Sequence, residues 1–183
     1  MSFTFTQVKA PSGLMLISPY VFNDERGFLA ETYRQDEFEK AGIKDEFVQD
    51  NHSKSVRGVI RGLHFQVEPH AQSKLVRCVR GDIFDVAVDL RKKSPTFGQW
   101  YGVILSEENK KMLYVPQGFA HGFSALSEIA DVVYRVDDLY SREDERGIRF
   151  DDPQLRIDWK INNPIVSSKD KALPRFDSDE DYF

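Results

Sequence analysis

The sequence holds a single cysteine, Cys78, which excludes an intrachain disulfide and any cysteine-rich zinc site. Its setting, the alternating run KLVRCVRG, reads as a buried structural thiol rather than a nucleophile. Basic residues are also in deficit, with 25 Lys and Arg against 30 Asp and Glu. The net charge of −5 argues against broad nucleic-acid binding, which needs a basic field, so any anionic ligand has to be gripped by locally clustered cations. No stretch approaches the ~18 apolar residues of a membrane span. The start, MSFTFTQVKAPSGL, lacks the charged-then-apolar pattern of a signal peptide. The expectation is a cytoplasmic protein whose partners include neither membrane nor nucleic acid.

Helical periodicity is scarce too. Only RQDEFEKAGIK looks helical, with Phe38 and Ala41 three apart and Gly42 available as a C-terminal cap. What is present instead is short alternation between turns. GDIFDVAVDLR sets Phe84, Val86, Val88 and Leu90 on one face and Asp85 and Asp89 on the other. The segment from Gln99 to Val136 reads as three strands, with turns at Glu107 to Lys110, at Pro116-Gln117-Gly118 and near Ser127-Glu128; a further turn falls at Arg80-Gly81-Asp82. With 183 residues and 40% hydrophobic content, one domain spanning 1–183 can bury its own core. The closing DSDEDYF, from about residue 177, reads as a frayed acidic tail. Many short strands with almost no helix predict an all-β double-sheet jelly roll with one or two short helices.

The chemistry concentrates in RGLHFQVEPHAQSKLV, residues 61 to 76. A metal reading would want two histidines one residue apart on a strand, but that slot is His64-Phe65-Gln66, and His121 has no carboxylate at obvious metal spacing. The metal reading loses. An acid–base reading gains from parity: His64 shares a side with Gly62 and Gln66, Lys74 with Val76 and Cys78, His121 with Phe123 and Ala125, and Tyr134 with Val132 and Val136. A strict pleat puts Arg61 and His64 on opposite faces, unless a bulge at Gly62 turns both inward. Spacing alone leaves open whether these groups are catalytic or simply hydrogen-bonded in the core. His52 and His70 look like loop or rim residues, and Arg77 and Arg80 like members of a solvated strand face.

The segments FNDERGFLAETY, QDNHSKSVRGVIRGLHFQ, PHAQSKLVRCVRGDIFDVAVDLRKKSPTFGQW, YVPQGFAHGF and SSKD, in that order from about Gly13 to Pro174, resemble the dTDP-4-dehydrorhamnose 3,5-epimerase family. That resemblance implies a cupin-type jelly roll working without metal or other cofactor. It implies inversion of C3 and C5 of dTDP-4-dehydro-6-deoxyglucose. Both carbons flank the C4 ketone, so loss of either proton gives an enolate that a nearby cation stabilises.

By the same resemblance His64 is the base, Asp170 its partner, Tyr134 the general acid and Lys74 the cation at the C4 oxygen, while His121 helps hold the sugar. Arg61 and Lys169 match diphosphate and substrate contacts, and Gln49, Asn51 and Glu145 match further binding positions. Tyr140 matches an aromatic that stacks on thymine, with Phe22 as a neighbour. Arg26 and Glu31 match positions that an N-terminal segment contributes across a homodimer interface. One departure stands out: relatives often read Tyr-Lys-x-Thr where this chain has YRVDD, placing Arg135 and Asp137 after the tyrosine. The added negative charge keeps a relative that inverts only C3 or only C5 as the nearest alternative. A non-catalytic nucleotide-sugar-binding jelly roll and a metal-dependent cupin are more distant ones.

Overall fold

A computed structural model describes residues 2–183. The chain opens with β1 (Phe3–Gln7), β2 (Met15–Pro19), the pair β3 (Val21–Asp24) and β4 (Gly27–Ala30), and helix α1 (Gln35–Lys40). The longer strands follow: β5 (Gln49–Val56), β6 (Val59–Gln66), β7 (Lys74–Arg80), β8 (Asp82–Asp89), β9 (Trp100–Ser106), β10 (Met112–Val115), β11 (Phe119–Ala125) and β12 (Ile129–Val136). β13 (Glu145–Gly147), β14 (Ile165–Val166) and helix α2 (Ser168–Lys171) come last. Among the described residues no helix is long and apolar enough to cross a membrane.

The strands form a double-sheet jelly roll. One sheet runs β1-β2-β10-β7-β12-β5 and the other β13-β6-β11-β8-β9, with β14 parallel to β6; β3 and β4 form a separate hairpin. Alternation sorts the side chains. Val76, Cys78, Leu113 and Val132 of the first sheet meet Ile83, Ala87, Leu105 and Phe123 of the second in the core between them. The other parity of β8, Phe84, Val86 and Val88, packs under the C-terminal segment against Leu155, Trp159 and Phe176. Both faces of β8 are thus covered, which makes it an almost wholly buried strand. The outer face of the first sheet is closed at one end by α1, through Phe38 and Ile43 against Phe3, Met15 and Ile17.

Two expectations need correction. Four strands, not three, fill the stretch from Trp100 to Val136, because the short buried run MLYV stands as β10 between two turns. The tail is not frayed: Tyr182 meets Phe65 edge-on and Phe183 lies tilted against it, with ring centroids 5.8 and 5.7 Å away, and the Asp177 N–H donates to the Tyr182 hydroxyl at 2.9 Å. Two aromatics anchor the acidic segment, their partly buried rings packing against the core beside Phe65 and Phe176. His52 is a rim residue as read, exposed on the edge strand β5 and facing Asp131 at 3.3 Å. Other readings match. α1 ends as read, with Gly42 at φ +95°. Cys78 is buried, its thiol against the carbonyls of Arg80 and Gly81 and pushed up to about 12, chiefly by burial.

Candidate active site

A β-bulge decides which side chains enter the space between the sheets. His121 pairs with His64 and Phe123 with Arg61, so three steps on β6 oppose two on β11. The extra residue brings Arg61 round to the same side as His64. Glycine is needed on both strands here: a Cβ at Gly62 would stand 2.6 Å from the Gly122 Cα, and one at Gly122 would stand 2.7 Å from the Arg61 carbonyl oxygen.

Between the sheets opens a cavity of about 630 Å³. His64 and His121 line it from β6 and β11 of one sheet, and Lys74 and Tyr134 from β7 and β12 of the other. Asp170 joins them from α2. That helix is only four residues long, but Ser167 caps it by accepting the Asp170 N–H at 3.0 Å, which fixes the carboxylate. All five residues expected to do chemistry therefore face one space.

The His64 Nε2–H donates to Asp170 Oδ1 at 2.9 Å, while Asp170 Oδ2 accepts the Gly62 N–H at 3.3 Å. Burial by itself works to raise the Asp170 carboxyl, but the hydrogen bond and charge of His64, with Gly62 and Ser167, hold it below the usual carboxylate range. A carboxylate so placed fixes the imidazole tautomer, keeps the proton on Nε2 and leaves the Nδ1 lone pair able to accept one. Lys74 is 8% exposed, and its Nζ crosses to the facing sheet to donate to the His64 carbonyl at 3.2 Å. Burial pushes its ammonium down to about 8 against the attraction of Asp85 and Glu145. Burial also raises the Tyr134 phenol, with Arg61 pulling the other way, so the hydroxyl stays protonated at neutral pH.

The binding positions divide. Gln49, Asn51, Arg61, Tyr140, Glu145 and Lys169 line the same cavity. Glu145 is their hub: Lys169 donates to its Oε2 at 2.6 Å and the Tyr140 hydroxyl at 2.9 Å. The Arg61 guanidinium is steadied by Ser55 Oγ and the Lys54 carbonyl, both at 3.1 Å. Phe22, Arg26 and Glu31 do not reach this cavity within the chain; Phe22 and Arg26 sit on or at the tip of the β3–β4 hairpin, with Arg26 paired to Asp24.

Two residues at the site carried no role in the sequence reading. Asp85 is fully buried and accepts the His121 Nε2–H at 2.8 Å. Its signal was its parity with Ile83 and Ala87, since a carboxylate on an apolar inward face needs a buried partner. Gln66, considered only as a missing metal ligand, spends its amide on neighbouring loops instead. Asp137 stays out of the cavity. Its carboxylate accepts the Ser73 N–H at 2.6 Å and the Gln117 side chain at 3.0 Å, which accounts for the YRVDD departure without adding charge to the pocket lining. Of the two arginines read as solvated, Arg80 is exposed and Arg77 half-buried.

Comparisons with known proteins place the chain among relatives of one family. The family model described as dTDP-4-dehydrorhamnose 3,5-epimerase matches residues 9–178. A dTDP-4-dehydrorhamnose 3,5-epimerase of Shigella flexneri is 56% identical over 171 residues, covering 93% of this chain and 94% of its own. The crystal structure of such an enzyme from Elizabethkingia anophelis NUHP1 superposes with a TM-score of 0.93 at 48% identity, covering 100% of both chains. A dTDP-6-deoxy-D-glucose-3,5-epimerase from Legionella pneumophila Philadelphia 1, solved in complex with dTDP-4-keto-L-rhamnose, superposes at 0.89 with 45% identity, covering 96% of this chain and 99% of that one. The chain belongs to the dTDP-4-dehydrorhamnose 3,5-epimerase family.

Proposed function

We propose that the protein inverts C3 and C5 of dTDP-4-dehydro-6-deoxyglucose, serving synthesis of dTDP-L-rhamnose or a related deoxysugar. One observation carries the reading: an imidazole oriented by a carboxylate and a phenol that keeps its proton stand on opposite sheets across one cavity. Inversion needs that opposition, with a proton leaving one face of the carbon and arriving on the other. His64 Nδ1 takes the proton beside the ketone, Asp170 stabilises the imidazolium, and Lys74 meets the negative charge that gathers on the C4 oxygen. Tyr134 delivers a proton to the far face. His121 holds the sugar, while Arg61 and Lys169 carry the diphosphate that the chain's net charge of −5 would otherwise repel. Gln49, Asn51 and Glu145 complete the binding wall, and Tyr140 offers its exposed ring as a platform for the base.

A homodimer and a cytoplasmic location belong to the same proposal. Phe22, Phe28 and Leu29 are 60, 60 and 73% exposed on a two-stranded hairpin, an apolar surface on an element too small to be stable alone in water. A second copy receiving that hairpin would bring Phe22, Arg26 and Glu31 to its cavity. Mixing inactive His64→Ala and weakened Arg26→Ala subunits should restore activity to about a quarter of wild type, because half the mixed dimers' sites are intact.

The reaction is tested in D₂O with the purified protein and dTDP-4-dehydro-6-deoxyglucose, following C3 and C5 by NMR. Deuterium entering with inversion at both carbons, and lost in His64→Ala, is the expected result. Inversion at one carbon only, or full turnover by His64→Ala, would overturn it.

A further inference from the structure

We infer that Gln66 is a positioning residue for the nucleotide platform: its side-chain amide grips the peptide units on both sides of Tyr140 and so sets where that ring stands. This rests on the reading of Tyr140 as the residue that receives the base. Gln66 is the inward-facing residue at the end of β6 and is 3% exposed. Its Nε2 donates to the Leu139 carbonyl at 3.2 Å and to the His70 carbonyl at 2.6 Å, and its Oε1 accepts the Ser141 N–H at 2.8 Å. Both amide hydrogens and the oxygen are therefore engaged. The residues before and after Tyr140 are held by one side chain, much as a neighbouring strand would hold them.

Tyr140 needs such a hold because packing does not supply one. Its side chain is 55% exposed, and its remaining anchors are its own N–H to Gln49 Oε1 at 3.3 Å and its hydroxyl to Glu145 Oε2 at 2.9 Å. Glu145 in turn pairs across the strands with Gln66 itself, so backbone and side chain of Gln66 fix both ends of the Tyr140–Glu145 contact. No other residue type of this size performs the task. Methionine would leave two half-buried carbonyls and an N–H without this partner, and glutamate would set a carboxylate against two carbonyl oxygens.

The test uses Gln66→Met, Gln66→Asn and Tyr140→Ala in the full chain, with calorimetric titration of dTDP and steady-state turnover. Gln66→Met should weaken dTDP binding and raise KM about tenfold, the cost of freeing the platform, with kcat within roughly threefold of wild type. Gln66→Asn, whose amide falls short of Leu139 and Ser141, should do the same and decides the matter if the methionine variant does not fold. The double variant Gln66→Met/Tyr140→Ala should bind dTDP no more weakly than Tyr140→Ala alone. Unchanged dTDP affinity in a folded Gln66 variant, with Tyr140→Ala impaired, overturns the inference, as does a kcat loss at constant KM or an additive double variant. If Tyr140→Ala itself binds dTDP like wild type, the platform reading fails first and the inference with it.

Discussion

The His121 imidazole donates through Nε2 to Asp85 Oδ1 at 2.8 Å, and Asp85 is fully buried beneath the cavity. The same carboxylate attracts the Lys74 ammonium and opposes the burial that pushes it down to about 8. Replacing Asp85 by asparagine removes that opposition. Lys74 then loses its proton more readily, so the alkaline limb of the kcat/KM profile should move to lower pH by roughly half a unit to one unit. A pH–rate series on Asp85→Asn checks it, and an unmoved limb would detach Lys74 from the alkaline titration.

Lys74 itself should cost the fold stability. A base whose pKa is lowered by folding is penalised below the folded value, and the penalty fades as pH rises from about 8 toward the ordinary lysine range. Lys74→Met should thus be inactive yet more stable at pH 7, by an amount on the order of 3 kcal/mol less the lost bond to the His64 carbonyl. Melting temperatures at pH 7 and pH 10 measure this, the gain being smaller at the higher pH. A variant that melts lower than wild type at pH 7 contradicts it.

Tyr134→Phe separates taking a proton from returning one. With His64 and Asp170 intact, deuterium from D₂O should still enter the substrate, but from the His64 side, with retention. Net epimerisation should fall by about 10²–10⁴-fold. NMR of the C3 position shows whether label arrives without inversion; inversion at the wild-type rate would remove Tyr134 from the role of acid.

Ending the chain after Asp181 removes Tyr182 and Phe183 from Phe65, Phe97 and Phe176. Both rings are partly buried, so urea unfolding should report a loss of about 2–3 kcal/mol with little change in slope. An unchanged midpoint would mean that the acidic tail is an ornament of the fold after all.

That tail also marks where sequence reading stops. Composition favoured fraying, and nothing local says that two terminal aromatics find a hydrophobic site built from residues 65, 97 and 176. Parity read from single strands was reliable, because an alternating run carries its own inside and outside: Lys74, His121 and Tyr134 all turned inward with their apolar neighbours. The Gly62 bulge was visible only as a possibility, since its register is set by Gly122 on another strand. Long-range pairs were the least legible. His64 and Asp170 are 106 residues apart, and the motif resemblance joined them where spacing could not. The structural role of Gln66 is illegible in the sequence because its partners, Leu139 and Ser141, lie in a loop whose course only the folded chain reveals.

The groups proposed to take and to give the proton, His64 and Tyr134, hang from different sheets, so the gap between them is the thickness of the sandwich. Facing sheets stand ~10 Å apart, and here the spacers are Val76, Ala87, Val132 and Phe123, none of them named for any chemical step. The hydrophobic interior is therefore a caliper for the reaction. A methylene added or removed there alters how closely the two walls of the proposed site approach each other, and turnover should tolerate fewer core sequences than folding does.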